Sequence, residues 1–209
     1  MYKIIVFDVD GTIIDTERAT LMALQEVLKE DLGKEVPEEE LAVFLGIPGI
    51  YVVNHFEFID PASSLKKWVQ HMDRLRGHNQ IFDGISELLS IIENRGLRLG
   101  IVTSRTRLEC DQDPLLKNMM GQFECIITAD DTVQHKPSGA PLIKLLDLMK
   151  VDAADVLYIG DTVYDLQCAR EANIDFIWAG WGSKHDVESF EGPVAMHPVN
   201  LSNFIGHRV

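Results

Sequence analysis

Short apolar runs alternate with amphipathic segments over most of this chain. The apolar runs are rich in β-branched residues and are typical of buried strands; they cover residues 3–7, 97–102, 125–127, 156–159 and 176–178. Helical spacing of apolar residues occurs between them, at 85–93, 142–149 and 165–172. Strands that alternate with helices favour a parallel sheet covered on both faces, so the pattern predicts an α/β fold with a Rossmann-like sheet flanked by helices.

The segment that follows the first strand has a different pattern. Residues 16–32 form a long amphipathic helical pattern, and further helical patterns lie at 38–45 and at about 65–75, the last preceded by the Pro-Ala-Ser-Ser sequence at 61–64. No strand pattern is visible in this stretch. We therefore expect an α-helical domain at 16–82, inserted into an α/β core domain made of residues 1–15 and 83–209.

Composition narrows the possible partners and the cellular location. The net charge of −14 over 209 residues disfavours binding to nucleic acid or to an anionic membrane surface. Three widely spaced cysteines without a CxxC pattern indicate a reducing cytoplasm and no disulfide framework. Four apolar residues before Asp8 are too few for a signal peptide, and no apolar run approaches the ~18 residues of a membrane span. We expect a cytoplasmic protein that is a monomer or a small homo-oligomer.

Polar residues follow four of the predicted strands. Because the carboxyl ends of parallel strands meet at one edge of a sheet, these residues should lie close together. Several carboxylates there could not all stay ionised without a cation, and their hard oxygen ligands favour Mg²⁺. Hydroxyl, ammonium and backbone N–H groups would bind an anion, so the set suits phosphoryl transfer. The residues are Asp8, Asp10, Gly11 and Thr12; Thr103, Ser104 and Arg105; Lys136; and Gly160, Asp161 and Asp165.

At these residues the chain resembles the haloacid dehalogenase-like hydrolase superfamily. All four motifs of that superfamily occur in order, as Asp8-x-Asp10-Gly11-Thr12, Thr103, Lys136 and Gly160-Asp161-x-x-x-Asp165. The resemblance covers residues 1–15 and about 83–209, and the insert is similar to the helical cap of the phosphoglycolate phosphatase-like branch.

The resemblance implies a role for each of these residues. Asp8 would be the nucleophile, and Asp10 would be the general acid and then the general base. Mg²⁺ would be held by the Asp8 carboxylate, the Asp10 backbone carbonyl and Asp161, with Asp165 as a further ligand or as support for the ligands. Thr103 and Lys136 would bind the phosphoryl oxygens. The remaining residues expected to contact the substrate are Gly11, Thr12, Ser104 and Arg105.

Three functions fit this set of residues. The leading interpretation is a Mg²⁺-dependent phosphatase that hydrolyses a small phosphorylated metabolite, a phosphoglycolate-like monoester or pyrophosphate, through an aspartyl-phosphate. A sugar-phosphate mutase of the same family is an alternative, although residues 16–32 lack the histidine that related mutases carry in the first cap helix. A phospho-accepting receiver domain is the third; the spacing of Asp8 and Asp10 by Val9, and the large insert, argue against it.

Overall fold

The computed structural model describes residues 1–45, 49–182 and 190–206 and divides the chain into two compact units. Unit 1 comprises Met1–Ile14 and Ile81–Val209, and unit 2 is Asp15–Gln80. The sequence placed the boundaries after residues 15 and 82. That the insert acts as a cap stays a prediction. Within the described part of the chain, none of the helices combines the length and the apolar character needed to span a bilayer.

Unit 1 is built on a six-stranded sheet whose neighbouring strands are parallel. Numbered along the chain, the strands are β1 Ile4–Phe7, β2 Ile14–Asp15, β3 Gln80–Ile81, β4 Arg98–Val102, β5 Cys125–Ile127, β6 Val156–Gly160, β7 Asp175–Ala179 and β8 Val194–Ala195. The sheet order is β5-β4-β1-β6-β7-β8, while β2 and β3 form a separate two-stranded sheet. The five predicted strands are confirmed. β2, β3 and β8 have only two residues each, too few for a sequence pattern, and are not among the predicted strands; β3 lies within residues 16–82, where no strand was expected.

Helices cover the sheet of unit 1. They are α5 Ile85–Asn94, α6 Arg107–Gln112, α7 Pro114–Met119, α8 Ala140–Met149 and α9 Val163–Glu171, numbered after the four helices of unit 2. Ile5 and Phe7 pack in one apolar cluster, and Ile4 and Val6 pack in another. Since successive side chains of a strand point to opposite faces, β1 is buried on both sides. The predicted parallel sheet with two covered faces is confirmed.

The position of β1 decides where polar groups can collect. β1 lies between β4 and β6, with Phe7 opposite Ile101 on one side and Ile159 on the other. The residues that follow these three strands therefore emerge side by side at the carboxyl edge of the sheet.

Unit 2 is helical and has its own apolar cluster, which includes Leu24, Leu28 and Trp68. Its helices are α1 Glu17–Leu32, α2 Glu38–Leu41, α3 Gly49–His55 and α4 Pro61–Arg74. α4 begins at Pro61, four residues before the start at about residue 65 that the sequence predicts. Asp60 caps the helix by accepting a hydrogen bond from the Ser63 N–H at 3.1 Å, and Pro61 occupies the first turn. The 38–45 helix is shorter than predicted, because a 3₁₀ turn replaces it after Leu41.

Candidate active site

Asp8 is the first residue after the central strand, and it is buried. Its side chain is 11% exposed, and its backbone N–H donates to the Ile159 carbonyl at 2.9 Å. The chain then turns sharply through Gly11, whose φ is +74°. A Cβ at Gly11 would overlap the Asp161 carboxylate, so the glycine lets this loop approach the end of β6. Thr12 completes the contact by donating to Asp161 Oδ1 at 3.0 Å.

Asp165 lies in the first turn of α9, where it is held by hydrogen bonds on both oxygens. Oδ2 accepts from the backbone N–H and the hydroxyl of Thr162, at 3.1 and 2.6 Å. Oδ1 accepts from the Tyr158 hydroxyl and from Lys136 Nζ, both at 2.8 Å. A carboxylate has about four lone-pair positions, so these donors occupy them all. Burial opposes the charge of Asp165, but Lys136 and the hydrogen bonds outweigh it and hold its pKa below the usual value.

Lys136 joins two of the carboxylates. Its side chain is 6% exposed, and Nζ lies 2.7 Å from Asp8 Oδ1 and 2.8 Å from Asp165 Oδ1. Burial alone would lower the pKa of Lys136, but attraction to Asp165 and Asp8 raises it above the usual value. Lys136 is therefore a fixed buried cation beside Asp8.

Three carboxylates meet at this edge of the sheet. Oxygens of Asp8, Asp161 and Asp165 all lie within 4.8 Å of one another. Burial raises the pKa of Asp8 to about 7; Lys136 opposes the increase, and the charge of Asp165 adds to it. Burial and the charges of Asp165 and Asp8 also raise the pKa of Asp161 well above its usual value. A single lysine cannot balance three carboxylates when all of them are ionised. Their oxygens are hard ligands, and together with the uncompensated negative charge they suit a small divalent cation. Because Asp165 is already fully hydrogen-bonded, Asp8 and Asp161 are the better ligands.

The residues that follow β4 lie at the same edge of the sheet, because β4 is the parallel neighbour of β1. Thr103 is buried; its N–H donates to the Ile127 carbonyl at 3.0 Å, and its Oγ1 accepts from the Arg105 N–H at 3.2 Å. Ser104 is exposed. By the register of β1 and β4, Thr103 follows the residue that lies opposite Asp8. Thr103 thus follows β4 at the edge of the sheet where Asp8 follows β1, and its role in the site stays a prediction.

Arg105 contacts two carboxylates. Its Nε and Nη2 donate to Asp10 Oδ2 and Oδ1 at 2.8 and 2.6 Å, and its Nη1 donates to Asp113 Oδ2 at 2.7 Å. Burial disfavours the charged guanidinium, but these two carboxylates outweigh it and raise the pKa of Arg105 above its usual value. Asp113 was not identified from the sequence, although an aspartate followed by proline is a helix-start signal. Tyr158 was also missed; a tyrosine inside a buried aliphatic strand signals a hydroxyl that needs a partner.

Comparisons with known proteins identify relatives of this chain. A protein of Caldanaerobacter subterraneus, provisionally named pyrophosphatase PpaX, is 27% identical over 185 residues, 85% of this chain and 81% of that protein. A protein of Thiobacillus denitrificans named phosphoglycolate phosphatase is 27% identical over 193 residues, 86% of this chain and 84% of its own. A crystal structure from Lactobacillus plantarum, provisionally named a phosphoglycolate phosphatase, has 27% identity and a TM-score of 0.86, covering 97% of this chain and 99% of that one.

The match to a family model covers most of the chain. The model, described as haloacid dehalogenase-like hydrolase, matches residues 5–179, which include the ends of β1, β4 and β6 and the whole carboxylate cluster. The resemblance inferred from the four motifs is confirmed, and this chain belongs to the haloacid dehalogenase-like hydrolases.

Proposed function

We propose that this protein is a Mg²⁺-dependent phosphatase that hydrolyses small phosphorylated metabolites through an aspartyl-phosphate at Asp8. The observation that carries the proposal is the setting of Asp8. It is a buried carboxylate at the end of the central strand, 2.7 Å from a buried lysine and within a cluster of three aspartates. Burying a carboxylate in such a place costs stability, because burial disfavours its charge. Carboxylates in such settings are typical of functional sites.

The donor set fits Mg²⁺. The Asp8 and Asp161 carboxylates would hold the ion together with the Asp10 backbone carbonyl, and Asp165 would keep Lys136 in place. When bound, the ion offsets the negative charge of the carboxylates and of the phosphoryl oxygens, so that the two can approach.

The reaction then needs two displacements at phosphorus. In the first, an Asp8 oxygen forms a bond to phosphorus, the bond from phosphorus to the leaving oxygen breaks, and Asp10 gives its proton to that oxygen. In the second, a water oxygen bonds to phosphorus, the bond to Asp8 breaks, and Asp10 takes the proton of the water. The net change consumes one water and releases inorganic phosphate together with the alcohol of a phosphomonoester, or with a second phosphate from pyrophosphate, and both aspartates are restored. Lys136 and Thr103 would hold the phosphoryl oxygens throughout.

The names of the relatives suggest the class of substrate. The relatives described above are named as pyrophosphatases and phosphoglycolate phosphatases. Pyrophosphate and small phosphomonoesters such as phosphoglycolate are therefore the substrates we propose to test first.

A screen of phosphate esters tests the proposal. The purified protein, with Mg²⁺, is assayed for phosphate release from pyrophosphate, phosphoglycolate and p-nitrophenyl phosphate, alongside Asp8→Asn. Removing the nucleophile should lower turnover by several orders of magnitude. Asp111→Asn is the matched control, because Asp111 is an exposed aspartate on α6 away from the cluster. Turnover in Asp8→Asn near the wild-type rate would overturn the proposal.

A further inference from the structure

The contact between Arg105 and Asp10 suggests a role that the proposed function does not assign. The guanidinium meets the carboxylate with two parallel hydrogen bonds, at 2.8 and 2.6 Å. Such a fork fixes the plane of a carboxylate as well as its position. The Asp10 side chain is 42% exposed, so it is held and is still reached by solvent.

Asp113 holds the other end of Arg105. Its side chain is 1% exposed, and its two oxygens have separate tasks. Oδ2 accepts from Arg105 Nη1 at 2.7 Å. Oδ1 accepts from the backbone N–H groups of Leu115 and Leu116, at 2.9 and 3.3 Å, and so caps α7. These hydrogen bonds hold Asp113 in place. Asp113 in turn holds the guanidinium of Arg105, whose side chain is 13% exposed.

We propose that Arg105 and Asp113 are positioning residues for Asp10. Asp113 orients the guanidinium, and the guanidinium orients the Asp10 carboxyl group toward the leaving oxygen. The inference rests on the proposed function, in which Asp10 gives a proton to that oxygen as its bond to phosphorus breaks. It differs from the expectation that Arg105 binds the substrate, because here Arg105 acts through Asp10.

The leaving group distinguishes the two roles. Nitrophenolate leaves readily without a proton, whereas phenolate depends more on the general acid. The ratio of kcat/KM for p-nitrophenyl phosphate to that for phenyl phosphate therefore reports how well Asp10 delivers its proton. Since kcat/KM includes only steps up to the departure of the alcohol, hydrolysis of the aspartyl-phosphate does not mask the effect.

The variants are Arg105→Met, Arg105→Lys and Asp113→Asn. Asparagine keeps an oxygen that can cap α7, but it turns an N–H donor toward Arg105. We expect Arg105→Met and Asp113→Asn to raise the ratio at least tenfold. Asp10→Asn should change the ratio in the same direction. Arg105→Lys should recover only part of the loss, because lysine cannot form the fork. The matched control is Arg98→Met, which removes an arginine–Glu124 fork at the start of β4, the opposite end of the strand that leads to Arg105. It should leave the ratio unchanged.

The outcomes separate the inference from the proposed function. If Asp8→Asn is inactive and Asp10→Asn raises the ratio, the proposed function is supported. If the Arg105 and Asp113 variants then lower kcat/KM for both substrates by equal factors, or only raise KM, the inference is overturned. Thermal melting of each variant identifies any that fails to fold, and the folded variants of the set still decide the question. A raised ratio in the folded Arg105 or Asp113 variants with an unchanged Arg98→Met supports the inference.

Discussion

Asp8→Asn should stabilise the metal-free protein at alkaline pH while it removes turnover. Asp8 is an ionisable group that the fold buries next to Asp161 and Asp165, with Lys136 as the nearby cation. Burial is the main reason that its pKa rises from 3.8 to about 7. Asparagine has nearly the same shape without the charge, so the substitution removes the cost of ionising this carboxylate in a buried place.

The size of the effect follows from the shift in pKa. The folded protein binds the Asp8 proton more tightly than the unfolded chain does. The associated stability is therefore complete below pH 3.8 and is lost as the pH rises through about 7. At 1.36 kcal/mol for each pKa unit, Asp8 should cost the wild type about 2 kcal/mol at pH 5 and about 4 kcal/mol at pH 8. Asp8→Asn should avoid these costs, which are upper estimates because the fold can relax around the charge.

Urea unfolding in EDTA, at pH 5 and pH 8, measures the difference. We expect Asp8→Asn to be more stable at both values, with an advantage that grows by about 2 kcal/mol or more toward pH 8. The control is Asp111→Asn, whose exposed carboxylate should change stability by less than about 0.5 kcal/mol at either pH. If Asp8→Asn is less stable than the wild type at pH 8, or its advantage does not depend on pH, then the reasoning about the buried carboxylates is refuted.

Three further predictions concern the carboxylate cluster and its supports. Activity should vanish in EDTA and return with Mg²⁺ but poorly with Ca²⁺, because Ca²⁺ takes more ligands in looser geometry; full activity without metal would contradict the proposed chemistry. Tyr158→Phe removes one donor from Asp165 and keeps the ring, so kcat/KM should fall about tenfold, equivalent to about 1.4 kcal/mol, with the fold retained. Unchanged kinetics would show that this hydrogen bond is not needed. Gly11→Ala strains a residue with φ of +74° and pushes against Asp161, so the Mg²⁺ concentration for half-maximal activity should rise; an unchanged Mg²⁺ dependence would argue against Asp161 as a ligand.

The parallel sheet and the carboxylate cluster could be predicted because both leave local signals in the sequence. Each core strand is a short apolar run, and the polar residues of the site follow four of the five runs. Asp8, Lys136 and Asp161 could therefore be placed near one another from the rule that parallel strands end at one edge. The structure adds that Asp165 accepts from four donors. The spacing of Thr162 and Asp165 is that of a capping box, but the contacts with Tyr158 and Lys136 have no such signal in the sequence.

The missed features depend on contacts between distant residues or on short elements. The fork between Arg105 and Asp10 joins residues 95 positions apart, and the sequence has no signal for it. α6 and α7 have six residues each, less than the window in which helical periodicity is visible. The start of α4 lies before the predicted one because residues 61–64 carry no large apolar side chain and so add nothing to the helical periodicity; behind an aspartate cap, proline suits the first turn of a helix.

The central claim is that Asp8 carries the phosphoryl group, and trapping that group tests it most directly. The protein is quenched during turnover of a substrate from the ester screen, and borohydride reduces any acyl phosphate to an alcohol. Mass spectrometry of the digested chain then locates the modified residue. The account predicts homoserine at position 8, dependent on substrate and absent from Asp8→Asn. Turnover with an unmodified Asp8, or with the modification at Asp10 instead, would contradict it.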